Sequence, residues 1–104
     1  MGNTVMIKNG QARRYDIQTG QDRGTVGTSN AKVAASDGEY IVIVYNNGQA
    51  RRYMVNTGND LGYVGIPSST AINCSISNGI IILTYSNGES RKYEARTGVD
   101  KGRV

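Results

Sequence analysis

A pair of basic residues followed by tyrosine is the feature with the clearest chemical potential. It occurs three times, as Arg13-Arg14-Tyr15, Arg51-Arg52-Tyr53 and Arg91-Lys92-Tyr93. Cationic groups grip phosphates and aromatic rings stack on bases, so a ring of such triplets is one way to bind nucleic acid. Under this interpretation Arg13, Arg51 and Arg91 are candidate interaction residues. The net charge of +4 permits weak attraction to polyanions and also simply favours solubility.

The same pairs also support a structural interpretation, because an aspartate follows each first arginine by nine residues. These aspartates are Asp22, Asp60 and Asp100. Adjacent residues on a strand point to opposite faces, so the two basic residues of a pair have different surroundings. Arginine stems can pack between sheets while their head groups pair with the aspartates. Recurrence in every unit favours this structural role, since a binding site seldom needs all copies.

The tyrosines divide in the same way. Those of the triplets recur in all units, which indicates packing residues whose hydroxyls reach a polar partner. Tyr40 and Tyr63 do not recur in all units. We therefore treat Tyr40 and Tyr63 as candidates for an exposed contact.

The composition lacks the residue types that common catalytic sites need. The chain of 104 residues has no histidine and one cysteine, Cys74. No Ser-His-Asp or Cys-His arrangement can form, and scattered carboxylates are not a metal site. Cys74 lies among small residues and is expected to be a small buried hydrophobe. We predict no catalytic activity, no cofactor and no metal.

The basic triplets belong to a longer internal repeat with offsets of 38 and then 40 residues. Its units share Asn-Gly, Tyr, Thr-Gly, Gly and Val positions, and such a period indicates a propeller or another repeat array. Glycine is frequent and no apolar helical periodicity is present, so the units must be built from strands. Asp-Gly and Asn-Gly between apolar stretches supply the tight turns of antiparallel hairpins.

The expected fold is all-β, with consecutive units at 1–27, 28–65 and 66–104 of a single repeat domain. The second and third units have four antiparallel strands each. The first unit begins at its second strand, "NTVMIK" (3–8), and lacks an inner strand. Small residues dominate the predicted inner strands, which suits crowding near the axis of a radial array.

The phrase "NGQARRYMVNTG" resembles the third strand of β-propeller blades. WD-repeat blades have a turn ending in Gly, a strand with an aromatic residue and then Thr-Gly, and quinoprotein-type blades are similar. Tyr15, Tyr53 and Tyr93 occupy the position of the WD-repeat tryptophan. Without histidine, the hydrogen-bonded tetrad of WD repeats cannot form. The resemblance therefore implies propeller blade geometry and no particular activity.

Three blades cannot close a ring, because propellers have about four to eight blades. We expect a non-catalytic scaffold or interaction module that assembles with itself, as a homodimer with six blades or as a trimer. A glycan-binding propeller is the alternative, and a weak nucleic-acid-binding module is a further one. A protein or glycan ligand fits the first two functions, and neither specific nucleic acid binding nor membrane association is expected. The lone cysteine and the lack of a signal sequence predict a cytoplasmic protein.

Overall fold

The computed structural model describes residues 3–66 and 69–104, and within these ranges the protein is all-β with eleven strands. The strands are β1 (Asn3–Lys8), β2 (Gln11–Asp16), β3 (Asp22–Ser29), β4 (Ala31–Ser36), β5 (Tyr40–Tyr45), β6 (Ala50–Met54), β7 (Asp60–Val64), β8 (Ala71–Ser77), β9 (Ile80–Tyr85), β10 (Ser90–Glu94) and β11 (Asp100–Arg103). No helix in the described ranges is long and apolar enough to cross a membrane.

The described strands form three antiparallel sheets, each built from strands that are consecutive in the chain. Blade 1 has the order β1-β2-β3, blade 2 the order β4-β5-β6-β7, and blade 3 the order β8-β9-β10-β11. The predicted all-β architecture of three propeller-like blades, the first without an inner strand, is confirmed. β4 and β8 are the inner strands of blades 2 and 3, and blade 1 has no such strand among the described residues. β1 therefore corresponds to the second strands of the other blades, β5 and β9.

The β1–β2 hairpin of blade 1 is one residue shorter than the equivalent β5–β6 hairpin of blade 2. Ile7 pairs with Ala12, whereas the corresponding pair of blade 2 is Val44 and Ala50. Lys8 consequently occupies the position of Tyr45. Asn9 and Gly10 form the shorter turn, and both have positive φ angles, 54° and 76°. Such angles match the twist of a two-residue hairpin.

An Asp-x-Gly sequence shapes the last strand of each blade. The carboxylate of Asp60 accepts a hydrogen bond of 2.7 Å from the Gly62 N–H, and Asp22 and Asp100 do the same for Gly24 and Gly102. The strand register shifts at this point in all three blades. Gly62 has a φ of 106°, which a residue with a side chain rarely adopts. The β-bulge explains why this Asp and this Gly recur together.

Two apolar clusters hold the blades together, one on each side of blade 2. Ile41 and Ile43 face blade 1, while Val42 and Val44 face blade 3. Every residue of β5 is buried, because this strand has a blade on both sides. In β9, by contrast, buried and half-buried residues alternate. Burial of β5 follows from its central place and not from its hydrophobicity alone, since β9 is equally apolar.

Candidate interaction surfaces

The first arginine of each pair forms an exposed ion pair with its aspartate. Arg13 Nε lies 2.7 Å from an Asp22 carboxylate oxygen, and Arg51 and Arg91 make the same contact at 2.9 Å with Asp60 and Asp100. The hydrogen bond from Arg91 holds the pKa of the Asp100 carboxyl below its ordinary value. The predicted nine-residue pairing is therefore present in every blade. Each of these guanidinium charges already has an acidic partner.

In blades 1 and 2, the second arginine of the pair ties its blade to the next one. Arg14 Nη1 donates to the carbonyl oxygens of Val55 and Asn56 in blade 2, at 3.1 and 2.9 Å. Arg52 is only 6% exposed and donates to the carbonyl oxygen of Ala95 in blade 3 at 2.9 Å. The sequence predicts that the same arginine packs between sheets and pairs with aspartate. The structure divides these tasks between adjacent residues, because their side chains leave opposite faces of the strand.

The tyrosines of the triplets have the polar partners that the sequence predicts in two of the three blades. The hydroxyls of Tyr53 and Tyr45 are 2.5 Å apart, and those of Tyr93 and Tyr85 are 2.6 Å apart. The Tyr45 hydroxyl also accepts a hydrogen bond from the Thr28 N–H, at 3.2 Å. These bonds join the interior of one blade to the segment that arrives from the preceding blade.

The corresponding tyrosine of blade 1 lacks this arrangement. Lys8 takes the place of the second tyrosine, and its ammonium nitrogen lies 5.4 Å from the centre of the Tyr15 ring. The Tyr15 hydroxyl is buried and has no hydrogen-bond partner among residues 3–66 and 69–104. Most buried polar atoms are paired, so this oxygen marks an incomplete environment.

The structure separates the two tyrosines that we treat as contact candidates. Tyr40 is buried in the cluster between blades 2 and 3, so its prediction as an exposed contact is wrong. Tyr63 is 60% exposed, and the Arg51 guanidinium carbon lies 4.0 Å from its ring centre. Thr25 and Arg103 occupy the corresponding positions of blades 1 and 3, so this stacked pair is particular to blade 2.

A polar cleft of about 840 Å³ surrounds Arg51 and Tyr63. Its walls come from the end of β3, from Asn30 between β3 and β4, and from strands and turns of blade 2. They present amide, hydroxyl, guanidinium and carboxylate groups: Thr28, Asn46, Asn47, Gln49 and Asp60. Arg13 and Arg91 do not line this cleft. Among the described residues, no group of three or more Cys, Asp or Glu side chains is placed to hold a metal ion.

The leading face, defined as the side of blade 1 turned away from blade 2, exposes apolar residues that are buried elsewhere. Ile17 is 60% exposed, although Val55 and Ala95, its counterparts, are fully buried. Met6 is 53% exposed, whereas its counterparts in β5 and β9 are also fully buried. Residues on this face were not among the sequence candidates. Comparing position 17 with 55 and 95 within the repeat could have found them.

The trailing face, defined as the side of blade 3 turned away from blade 2, likewise leaves residues uncovered that are buried in blade 2. Its residues lie half-buried or exposed where the corresponding residues of blade 2 are buried: Ile80, Ile82, Thr84, Lys92 and Val104. Lys92 corresponds to Arg52, which binds a carbonyl of the following blade. The trailing face therefore has the layout of the blade 2 surface that covers blade 3.

Cys74 lies partly buried on β8, against the cluster between blades 2 and 3. Burial raises the pKa of its thiol to about 12. A thiol with such a pKa is almost fully protonated at neutral pH and reacts slowly. This placement agrees with a small apolar role in packing.

The three-blade geometry is similar to parts of larger solved structures. Over 99% of this chain it matches BamB from Moraxella catarrhalis, with a TM-score of 0.77 and 15% identity. Over 94% of the chain it matches the computationally designed Ika8 protein, with a TM-score of 0.70 and 17% identity. The chain spans only about a third of each, 33% and 36% of their lengths. These likenesses support the propeller fold alone.

No known family matches the sequence. No curated protein matches it either.

Proposed function

We propose that the protein is a non-catalytic propeller scaffold that closes a six-bladed ring as a homodimer. The observation that carries the proposal is the burial difference at position 17 against positions 55 and 95. Ile17 would have neighbours like those of Val55 and Ala95 only if another blade covered the leading face. The trailing face of a second copy has the matching layout.

The contact between copies can be described from the two blade contacts within the chain. Arg52 donates to the carbonyl of Ala95, and Arg14 donates to the carbonyl of Val55. In the proposed contact, Lys92 of one copy donates to the carbonyl of Ile17 in the other. The apolar groups around them would leave water together, which is the main driving force for association. A trailing face meeting a leading face is a head-to-tail contact, which gives a ring when the rotation closes.

The experiment is size exclusion coupled to light scattering on the wild type and two variants. We expect the wild type near 22 kDa, about twice the 11.2 kDa of one chain. Ile17→Glu places an unpaired charge in the contact and should give a single chain, since burying such a charge is costly. Val99→Glu is the matched control: Val99 is 54% exposed, and Asn59 and Gln21 occupy its place in the other blades.

A folded wild-type monomer at micromolar concentration would refute the assembly. A mass of three chains would keep the closed ring and refute the six-blade count. Dissociation by both glutamate variants would show that added charge, and not the leading face, causes the change.

A second candidate function is glycan binding in the cleft beside Tyr63. The exposed ring and its surrounding amide, hydroxyl and carboxylate groups support it, because ligand sites combine an apolar surface with a few placed polar groups. Binding on a glycan array that Tyr63→Thr abolishes would support this function. The variant places in blade 2 the residue type found at position 25 in blade 1, so it is compatible with the fold. Equal glycan binding by both proteins would exclude the cleft.

Specific nucleic acid binding has weaker support, because the exposed arginines Arg13, Arg51 and Arg91 are paired with aspartates. We expect no tight shift of labelled DNA or RNA at 150 mM salt. Tight binding that weakens steeply with salt would contradict this expectation.

A further inference from the structure

The inner edge of β1 has no neighbouring strand within the described residues, although both equivalent strands have one. β4 pairs with β5 in blade 2 and β8 pairs with β9 in blade 3, whereas β1 pairs with β2 alone. An unpaired strand edge offers a row of N–H and C=O groups that another extended segment can bind.

The backbone groups on this edge can be assigned from blade 2. The Tyr45 N–H donates to the Gln49 carbonyl, on the β6 side. Alternation along an antiparallel strand then directs the polar groups of Val44 and Val42 towards β4. Ile7 and Val5 occupy these positions in β1. Their backbone groups therefore face the open edge.

On the neighbouring strand β2, the buried Tyr15 hydroxyl lacks a partner among the described residues. In the other blades, the paired tyrosine hydroxyls accept a backbone N–H from the segment that leads into the inner strand: Thr28 donates to Tyr45 and Ile66 donates to Tyr85. Lys8 takes the place of these accepting tyrosines in blade 1, while the hydroxyl of Tyr53, the counterpart of Tyr15, lies against Gly27 of the incoming segment. By equivalence, the Tyr15 hydroxyl lies where a segment leading into an inner strand of blade 1 would pass. This observation is independent of the strand pairing.

We propose that the β1 edge is a binding site for an extended peptide segment with small side chains, which adds as an antiparallel fourth strand. The composition follows from the two strands that fill the equivalent place, β4 (AKVAAS) and β8 (AINCSIS). By analogy with the pairs Val33–Val44 and Ala35–Val42, the peptide positions equivalent to 33 and 35 pair with Ile7 and Val5. Main-chain hydrogen bonds supply the affinity, and the crowding near the axis selects small residues.

The test uses the full chain and a synthetic peptide with the sequence of residues 28–38, TSNAKVAASDG. Peptide titration is followed by amide exchange in nuclear magnetic resonance spectra of the labelled protein. Slower exchange is expected at Val5 and Ile7. Thr4 and Met6 serve as internal controls, because their amides face β2 and should change little.

Two proline peptides form a matched pair. Ala35→Pro removes the N–H that faces β1, and we expect about tenfold weaker binding. Ala34→Pro removes an N–H on the far side, where proline is tolerated in an edge strand, and should bind like the parent peptide. Equal weakening by both prolines would overturn the proposed register and edge.

Absence of binding at millimolar peptide would overturn the proposal, as would loss of protection at Val42 and Val44, which would show displacement of β4 instead. The proposal does not rest on ring closure, since the inner edge of β1 is open within the described residues of a single chain. The particle mass, measured separately, distinguishes failure of the ring from failure of the strand site.

Discussion

Replacing Arg52 should destabilise the protein far more than replacing its neighbour Arg51. The Arg52 guanidinium donates to the carbonyl oxygens of Ala95 and Leu61, at 2.9 and 2.6 Å, and the side chain is almost fully buried. Arg52→Ala leaves two carbonyls without a donor and opens space between blades 2 and 3. Hydrogen bonds from charged donors contribute about 1.5–3 kcal/mol each, so we expect a loss of about 4 kcal/mol in the free energy of unfolding.

Arg51 is the matched control, because it has the same side chain on the other face of the same strand. Its ion pair with Asp60 is partly exposed, and its contact with Tyr63 lies at the surface. Exposed ion pairs and exposed cation–π contacts contribute up to about 1 kcal/mol each. Arg51→Ala should therefore cost about 1 kcal/mol.

Urea unfolding followed by circular dichroism measures both variants at one fixed protein concentration, which keeps any contribution from association constant. With a slope of about 1.5 kcal/mol per molar urea, the midpoint should fall by more than about 2 M for Arg52→Ala and by less than about 1 M for Arg51→Ala. Arg52→Met separates the two causes, since it keeps the packed stem and removes the donors. An Arg51→Ala loss equal to or larger than that of Arg52→Ala would refute the division of tasks between the two arginines.

Three further predictions concern single side chains, each with its own reference. Tyr93→Phe should cost about 1 kcal/mol in urea unfolding because it breaks a buried hydroxyl pair, whereas Tyr15→Phe should be neutral or stabilising because its hydroxyl has no partner among the described residues; a larger loss for Tyr15→Phe would contradict this. Gly27→Ala should lower the melting temperature well below that of Gly20→Ala, since both glycines have a φ near 74° but only a methyl group at 27 would collide with the Tyr45 hydroxyl; equal shifts would remove the steric explanation. The Cys74 thiol, whose pKa is raised to about 12, should react with iodoacetamide at pH 8 about 1000-fold more slowly in the folded than in the unfolded chain, and comparable rates would show that it is accessible as thiolate.

The pH dependence of stability should follow the sign of two pKa shifts. Burial raises the pKa of Cys74 from 9 to about 12, so its contribution is present below pH 9 and is lost as the pH rises towards 12. Backbone hydrogen bonds from Thr19 and Gln18 and a side-chain bond from Arg23 lower the pKa of Asp16 to about 2, so its contribution is present above pH 4 and is lost as the pH falls towards 2. In urea midpoints measured across pH 2–11, Cys74→Ala should weaken the alkaline dependence alone and Asp16→Asn the acidic dependence alone. Each variant should remove only part of it, because other groups, such as the Asp100 carboxyl, also have shifted pKa values. An unchanged acidic limb in Asp16→Asn would contradict the second assignment.

Local sequence signals predicted the local structure well. Asn-Gly and Asp-Gly fixed the hairpins, and the nine-residue spacing of Arg51 and Asp60 anticipated their ion pair, because both residues lie on adjacent strands of one sheet. Tyr40 was predicted wrongly because its burial depends on blade 3, a neighbour that the local pattern does not reveal. Its failure to recur was interpreted as exposure, whereas isoleucine fills the equivalent position at 80.

The alignment of the repeat units also limited what could be predicted from the sequence. Aligning the units on their Asn-Gly turns hides the missing residue in the first hairpin of blade 1, so the correspondence of Lys8 with Tyr45 emerges only from strand pairing. The consequence is chemical, because the hydroxyl of Tyr15 loses the partner that its counterparts have. Similarly, the different roles of Arg13 and Arg14 depend on which face of the strand meets the next blade.

The difference between the leading and trailing faces has a consequence for the growth of the proposed assembly. Every added copy covers one face and presents a new face of the same kind, so the contact itself contains no signal to stop. Only the angle between successive blades can end the addition, by returning the last trailing face to the first leading face. A small change in that angle, for example through a bulkier residue at Gly27, would convert a finite particle into a helical filament. In the proposed ring, the tight approach of Gly27, near the end of β3, to Tyr45 would thus help to determine particle size as well as stability.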